Sequence, residues 1–339
     1  MWRLRTLKMK KTFILIVCLT ALAGLNSSAK IWRVNNSGLP ADFTTIQAAH
    51  DAATVVAGDT LHLEPSSVSY GALVSTKKLI ILGPGYYLNQ NANQQANPTP
   101  ATIWSFTLNE GSSGTVISGL TIASHCNIHT GNISISRNSF GNQNISLSND
   151  HSYSNIIISG NYGIGDITLT GNWAVLITNV LIVNNYLSNV ILNAQFSGTI
   201  ANNIFSHQNN TVHGFTIKNN ICPNTDGSIV FNGSSNTISN NIGAGGVGFP
   251  AGNGNQNNVN MSTVFVGATG NSTDGQWQLK TGSPAIGAGL NGEDCGIYGG
   301  NTPYHLSGLP KIPSVYLLTA PSNSNGNTLP VTISVKTNN

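Results

Sequence analysis

From about residue 115 the chain alternates apolar and polar positions in short runs, separated by turns rich in asparagine and glycine. The runs read TVISGLTI, NISISRNSF, NIIISGNYG, ITNVLIVNNYL, SGTIANNIF, HGFTIKNNIC and SNTISNN. A period of two over four to eight residues, built from β-branched side chains, predicts half-buried strands. Each unit closes on an asparagine: Asn138, Asn161, Asn185, Asn203, Asn220 and Asn241, at steps of 23, 24, 18, 17 and 21 residues. Second strands lie between some of them, as in NISLSN, DITLTGN and NVILNA. A repeat of about 20 residues with two or three short strands predicts a solenoid.

The pattern fits an all-β fold, a right-handed parallel β-helix in which Ile, Val and Leu of each coil stack on those of its neighbours. Asparagine tolerates the left-handed backbone that sharp corners need. Repeated at one corner, its amides can also bond from coil to coil. Leucine-rich repeats are excluded because LxxLxL is absent, and helical repeats by the abundance of β-branched residues, Asn and Gly. A β-sandwich array is the runner-up, but its strands need not recur at this period. An open stack needs caps. At the N-terminal end, Thr44 or Thr45 can cap a short helix with Ile46, Ala49 and Ala53 on one face. At the other end, residues 306–339 hold two alternating strands around SNSNGN and predict a β-hairpin.

The segments TTIQAAHDAA, GDT and SYGALVSTKKLIILGPGY resemble the opening coil of the pectate-lyase-like superfamily of secreted bacterial β-helix proteins. DGQWQLKTGSPAIGAG with EDCGIYGG is similar to the closing coil of many such proteins. With the repeats, the resemblance covers most of residues 31–305 and sets a β-helix domain over 30–305. It implies a fold; the superfamily holds lyases, hydrolases, epimerases and adhesins, so it implies no single activity.

Composition agrees with stacking. Charged residues make up 7% of the chain, where about 25% is usual. Like charges stacked about 4.8 Å apart repel, so a parallel stack favours uncharged polar residues. Five basic residues (Arg3, Arg5, Lys8, Lys10 and Lys11) precede the apolar run TFILIVCLTALAGL and the small residues Ser27, Ser28 and Ala29. This predicts a signal peptide over 1–29 and a secreted protein, extracellular or periplasmic. Its removal turns the net charge of +3 into −2, with nine basic and eleven acidic residues left. Neither a nucleic-acid surface nor a membrane span in the mature chain is expected. Cys126, Cys222 and Cys295 are expected as small buried apolar residues, with a Cys126–Cys222 bridge as the alternative.

Candidate chemistry is sparse. PNTDG at 223–227 resembles the N-T-D segment of polygalacturonases, which would make Asp226 an acid. Glycosidic hydrolysis needs a second carboxylate across the bond, and the following GAGGVG offers none. Asp226 therefore reads as a turn residue. Asp150, Asp166 and Arg137 are the best set for a lyase, which would bring in calcium. His125, Cys126 and His129, with His151 added, hint at zinc, but surface histidines beside a buried cysteine are the simpler reading. Tyr162, Trp173 and Tyr186 each follow an asparagine. Exposed, they would be a ligand-binding platform for sugar rings; buried, they would stack inside the helix. The expected protein is a secreted, non-catalytic β-helix that binds polysaccharide or a cell-surface glycan, or serves a surface structural role, with no cofactor. The alternatives are a lyase or hydrolase of pectin-like acidic polysaccharide, and an adhesin or assembly component docking through the C-terminal hairpin.

Overall fold

The computed structural model describes residues 29–338, apart from 149, 171–174, 193–194, 208, 225–229, 247 and 324–325. The chain forms a parallel β-solenoid of about eight turns. One sheet of ten strands runs from Ile31–Val34 to Thr237–Ser239, and every neighbouring pair in it is parallel. A second sheet of 13 strands forms the other sides of the coil. Its longest members, Ser139–Ser148 and Tyr162–Thr170, bend partway, with register shifts at Gln143 and near Ile164. The bend turns one strand into two sides of the coil.

Register explains the inward column. Ile81, Ile117, Ile135, Ile158, Ile182, Ile200, Ile217 and Ile238 are successive Cα partners across the ten-stranded sheet. All but Ile238 are fully buried. Each branched side chain meets a copy of itself one coil away, so a single shape packs repeatedly without voids.

The corner asparagines do a different task from the one their backbone tolerance suggests. The left-handed residues are those just before them: Arg137, Gly160, Asn184, Asn202, Asn219 and Asn240, with φ from 55° at Asn202 to 62° at Gly160. The predicted asparagines follow and point into the stack. The backbone N–H of Asn138 donates to Asn161 Oδ1 at 2.9 Å, that of Asn161 to Asn185 at 2.9 Å, and that of Asn185 to Asn203 at 2.9 Å. Asn203, Asn220 and Asn241 continue the series, ending on Asn255. Each Nδ2 also donates to the next Oδ1 and to a carbonyl of the preceding coil, as Asn185 does to Asn203 Oδ1 and Ile158 O. Leu120 N–H donates to Asn138 Oδ1 and closes the first end. Six amides with no solvent exposure thus have their donors and acceptors filled.

A shorter second ladder lies on the surface: Asn179 Nδ2 donates to Asn155 Oδ1 and Asn155 Nδ2 to Asn132 Oδ1. All three residues have positive φ. Here the turn and the ladder fall on the same asparagine.

The N-terminal helix spans Ile46–Asp51, and the Thr45 side chain accepts from the Ala48 N–H. Ile46 and Ala49 are buried as the apolar spacing predicts. Ala53 lies past the helix end and is exposed; Val55 fills the core instead. Residues 257–304 differ from a closing coil. They add no strand to either long ladder and fold back over the outside of the stack. There they cover Tyr162, Ile204, Ile221 and Ile242, which project outward from the second sheet, with Val264, Phe265, Ala285, Cys295 and Ile297. The physical reason is that these outward positions are apolar and need a second layer.

The C-terminal hairpin pairs Ser314–Thr319 with Thr332–Lys336 antiparallel. Cys126, Cys222 and Cys295 are buried free thiols, so no bridge joins Cys126 to Cys222. Burial pushes the Cys126 and Cys295 thiols up to about 12. They should therefore label with a thiol reagent only after unfolding in denaturant; labelling of the native protein would contradict the buried placement.

Replacing Asn185 by alanine strands a buried N–H and two carbonyls, at about 1–3 kcal/mol for each unsatisfied group. Asn185→Ala should lower the thermal midpoint by at least about 5 °C. Asn155→Ala, on the exposed ladder, should change it by less than about 2 °C. Equal effects of the two in calorimetry would refute the distinction.

Candidate binding groove

Outward positions of the ten-stranded sheet form the floor of a groove of about 740 Å³. Register places Ile80, Val116, Ser134, Ile157 and Leu181 in one row across five coils. Leu82, Ser118, Ser136, Ser159 and Val183 form the row beside it. Four inter-strand steps make the floor about 19 Å long. It is a strip of aliphatic side chains interrupted by hydroxyls.

The opposite wall comes from residues 301–305 with Lys311 and Ile312. A buried carboxylate holds this strap in place. Asp274 Oδ1 accepts from Asn91 Nδ2 at 3.0 Å and from Ser272 Oγ at 2.9 Å. Its Oδ2 accepts from the Ser307 N–H at 2.7 Å and from the Tyr304 hydroxyl at 3.1 Å. The Tyr86 hydroxyl lies 2.7 Å from that of Tyr304. Burial pushes the pKa of both phenols well up, so they stay protonated and able to donate. Gly308 packs so closely on the Tyr86 ring that a Cβ would lie 2.1 Å from it, and its φ of 55° also disfavours a side chain.

Arg137 fixes the groove's corner. Its Nη1 donates to Leu309 O at 2.6 Å and to Asn338 O at 3.1 Å. One guanidinium therefore holds both the entry to and the end of the hairpin. His305 has its pKa lowered by burial, so the imidazole is neutral at pH 7. Positive charge in the groove comes from Arg137 and Lys311. Among the described lining residues there is no carboxylate, so this groove has no acid–base pair for glycosidic hydrolysis.

The other sequence candidates lie elsewhere. Asp166 is on the second sheet, where its Oδ1 accepts from Asn189 Nδ2 and its backbone N–H donates to Asn144 Oδ1. Asp150 lies beyond the far end of strand Ser139–Ser148 from Arg137. The lyase set Asp150, Asp166 and Arg137 is thus distributed over two corners and a sheet face. Asp150 faces two histidines, His151 Nδ1 at 3.1 Å and His129 Nδ1 at 3.7 Å; His151 Nε2 is 3.8 Å from Glu110 Oε1. Burial raises the Asp150 pKa, but a backbone hydrogen bond and the two histidines outweigh it and leave it below the usual carboxylate value. No group of three or more His, Cys, Asp or Glu residues suited to a metal ion occurs among the described residues. Asp226 and Trp173 lie outside the described residues.

Tyr162 and Tyr186 stack in parallel with centroids 4.8 Å apart, and the Trp277 ring lies 4.8 Å from that of Tyr186, tilted by 32°. They project away from the coil interior, yet the returning segment covers them. Tyr162 is 7% exposed; its hydroxyl donates to Thr273 O and accepts from Trp277 Nε1. Tyr186 is partly exposed. The two tyrosines therefore belong to a second core outside the stack, an outcome the choice between surface platform and coil interior did not include. The groove floor went unread in the sequence because its Ile, Val and Leu look like core residues; their register could have been counted from the ladder asparagines.

No family model matches the chain, and no curated protein or solved structure is significantly similar to it.

If Asp274 anchors the strap, Asp274→Asn removes acceptor capacity from buried donors. Backbone amides of 301–309 should then exchange with deuterium at least about tenfold faster, for a loss of about 1.4 kcal/mol or more. Exchange at Ile135 and Ile158 should stay unchanged. Unaltered exchange in the strap would show that the anchor lies elsewhere.

Proposed function

We propose that this is a secreted, non-catalytic carbohydrate-binding protein, built as a right-handed member of the pectate-lyase-like class, that holds an extended glycan along its ten-stranded sheet. The observation that carries the reading is the groove floor. Five coils present a row of aliphatic side chains interrupted at Ser134, with the hydroxyls of Ser118, Ser136 and Ser159 in the row beside it. Sugar rings have apolar faces and hydroxyl edges, and such a floor meets both. The repeat of the floor matches a polymer better than a compact ligand, because each coil offers a similar contact about 4.8 Å further on. Arg137 and Lys311 on one side favour a chain carrying some negative charge. The lining, which supplies hydroxyls and cations but no carboxylate among the described residues, supports binding rather than glycosidic hydrolysis there.

The test is a binding titration with purified protein against pectic, alginate-like and neutral polysaccharides, with and without calcium, and mass spectrometry of the supernatants. Binding with no released oligomers is expected. Leu181→Asp, a charge placed on the floor, should weaken it at least tenfold, while Asn155→Ala should leave it unchanged. Release of unsaturated or hydrolysed oligomers would overturn the non-catalytic reading. Absence of binding to every polymer would overturn the carbohydrate reading.

A further inference from the structure

The C-terminal hairpin carries an apolar face that nothing in the described structure covers. Strands Ser314–Thr319 and Thr332–Lys336 are antiparallel, with Val315 opposite Val335 and Leu318 opposite Ile333. Their exposures are 39%, 56%, 58% and 60%, and Leu329 and Val331 add 52% and 48%. The other face meets the body at the hairpin's base, while further along it Leu317 is 43% exposed. Ser314 is buried, and the Lys336 ammonium donates to Asn93 O and Gln94 Oε1. The base is fixed by Arg137, and the edge of the first strand receives the Ala96 N–H on Val315 O. The hairpin is therefore anchored at its base with aliphatic side chains outward, and a two-stranded sheet of this kind is marginal without further packing.

We infer that this face is a self-association surface, and that its occupant is the same face of a second copy of the chain. Three observations select that occupant. The exposed face presents only aliphatic side chains, with no charge or ordered polar group that a dissimilar partner would have to match. A membrane-surface face needs flanking cations, and the one lysine on these strands points into the body. The area is adequate: six half-exposed aliphatic side chains offer on the order of 500 Å², so two copies would bury about 1,000 Å², the threshold for a specific interface. Like patches meeting about a two-fold axis make an isologous, closed dimer rather than a filament. The hairpins project from the strap side, so the pair would carry two grooves and could hold a glycan at two points.

Sedimentation velocity on the purified chain from about 1 to about 100 μM tests this, with a reversible monomer–dimer equilibrium expected in the micromolar range. The double variant Ile333→Lys with Val335→Lys should sediment as monomer throughout, with an unchanged thermal midpoint because neither side chain packs in the solenoid. Hydrogen exchange of the unmodified chain gives an independent readout: amides of 314–319 and 332–336 should be slower at the high concentration than at the low one. A monomer at every concentration would overturn the inference. So would a dimer that persists in the folded double variant, or a dimer whose formation leaves hairpin exchange unaltered. None of these outcomes depends on glycan binding, so failure here and failure of the proposed function are separable.

Discussion

The structure depends on the side-chain amide at one corner of each coil. An asparagine there accepts two hydrogen bonds through Oδ1 and donates through Nδ2 to the adjoining coils. In a stack of parallel strands the corner is where the sheet ladder breaks, so backbone groups there lose their strand partners. The amide replaces them, and its repetition fixes the coils in register. A hydroxyl or an aliphatic residue at the same place would leave buried donors unfilled. The neighbouring left-handed residue makes the corner sharp enough for the amide to point inward. Corner geometry and corner bonding are thus divided between two adjacent residues.

Register at that corner sets the rest. With the asparagines aligned, the isoleucines three residues before them stack inward, and the alternate positions stack outward on the ten-stranded sheet. The inward rows make a core; the outward rows make the groove floor. On the second sheet the first outward position after the corner is Tyr162, Tyr186, Ile204, Ile221 or Ile242 in successive coils. That strip is too apolar to face water, and the returning segment covers it. The strap that walls the groove is the continuation of this cover, fastened by Asp274. Groove and second core are therefore two results of one alignment.

The distribution of charge follows the same logic. A parallel stack penalises like charges repeated from coil to coil, and the few that occur are matched or placed singly. Asp166 sits between amide partners from adjoining coils, and Arg137 is satisfied by carbonyls of the C-terminal segment.

The sequence by itself determined the parallel stack, the corner asparagines, the capping helix near Thr45 and the hairpin, because each rests on local periodicity or on a residue with a strong backbone preference. Spacing of 17 to 24 residues was enough to put Asn138 through Asn241 on one line. Division of labour between Asn184 and Asn185, or Asn202 and Asn203, was hidden because both members of each pair are asparagine. The path of residues 257–304 could not be read from their own pattern, since what draws them onto the stack is an apolar strip contributed by Tyr162, Ile204, Ile221 and Ile242, far earlier in the chain. The groove likewise exists only once a strap held by Asp274 stands opposite Ile157 and Leu181. Local periodicity decides which side of a strand is apolar; only the tertiary packing decides which of those sides is covered and which is left open.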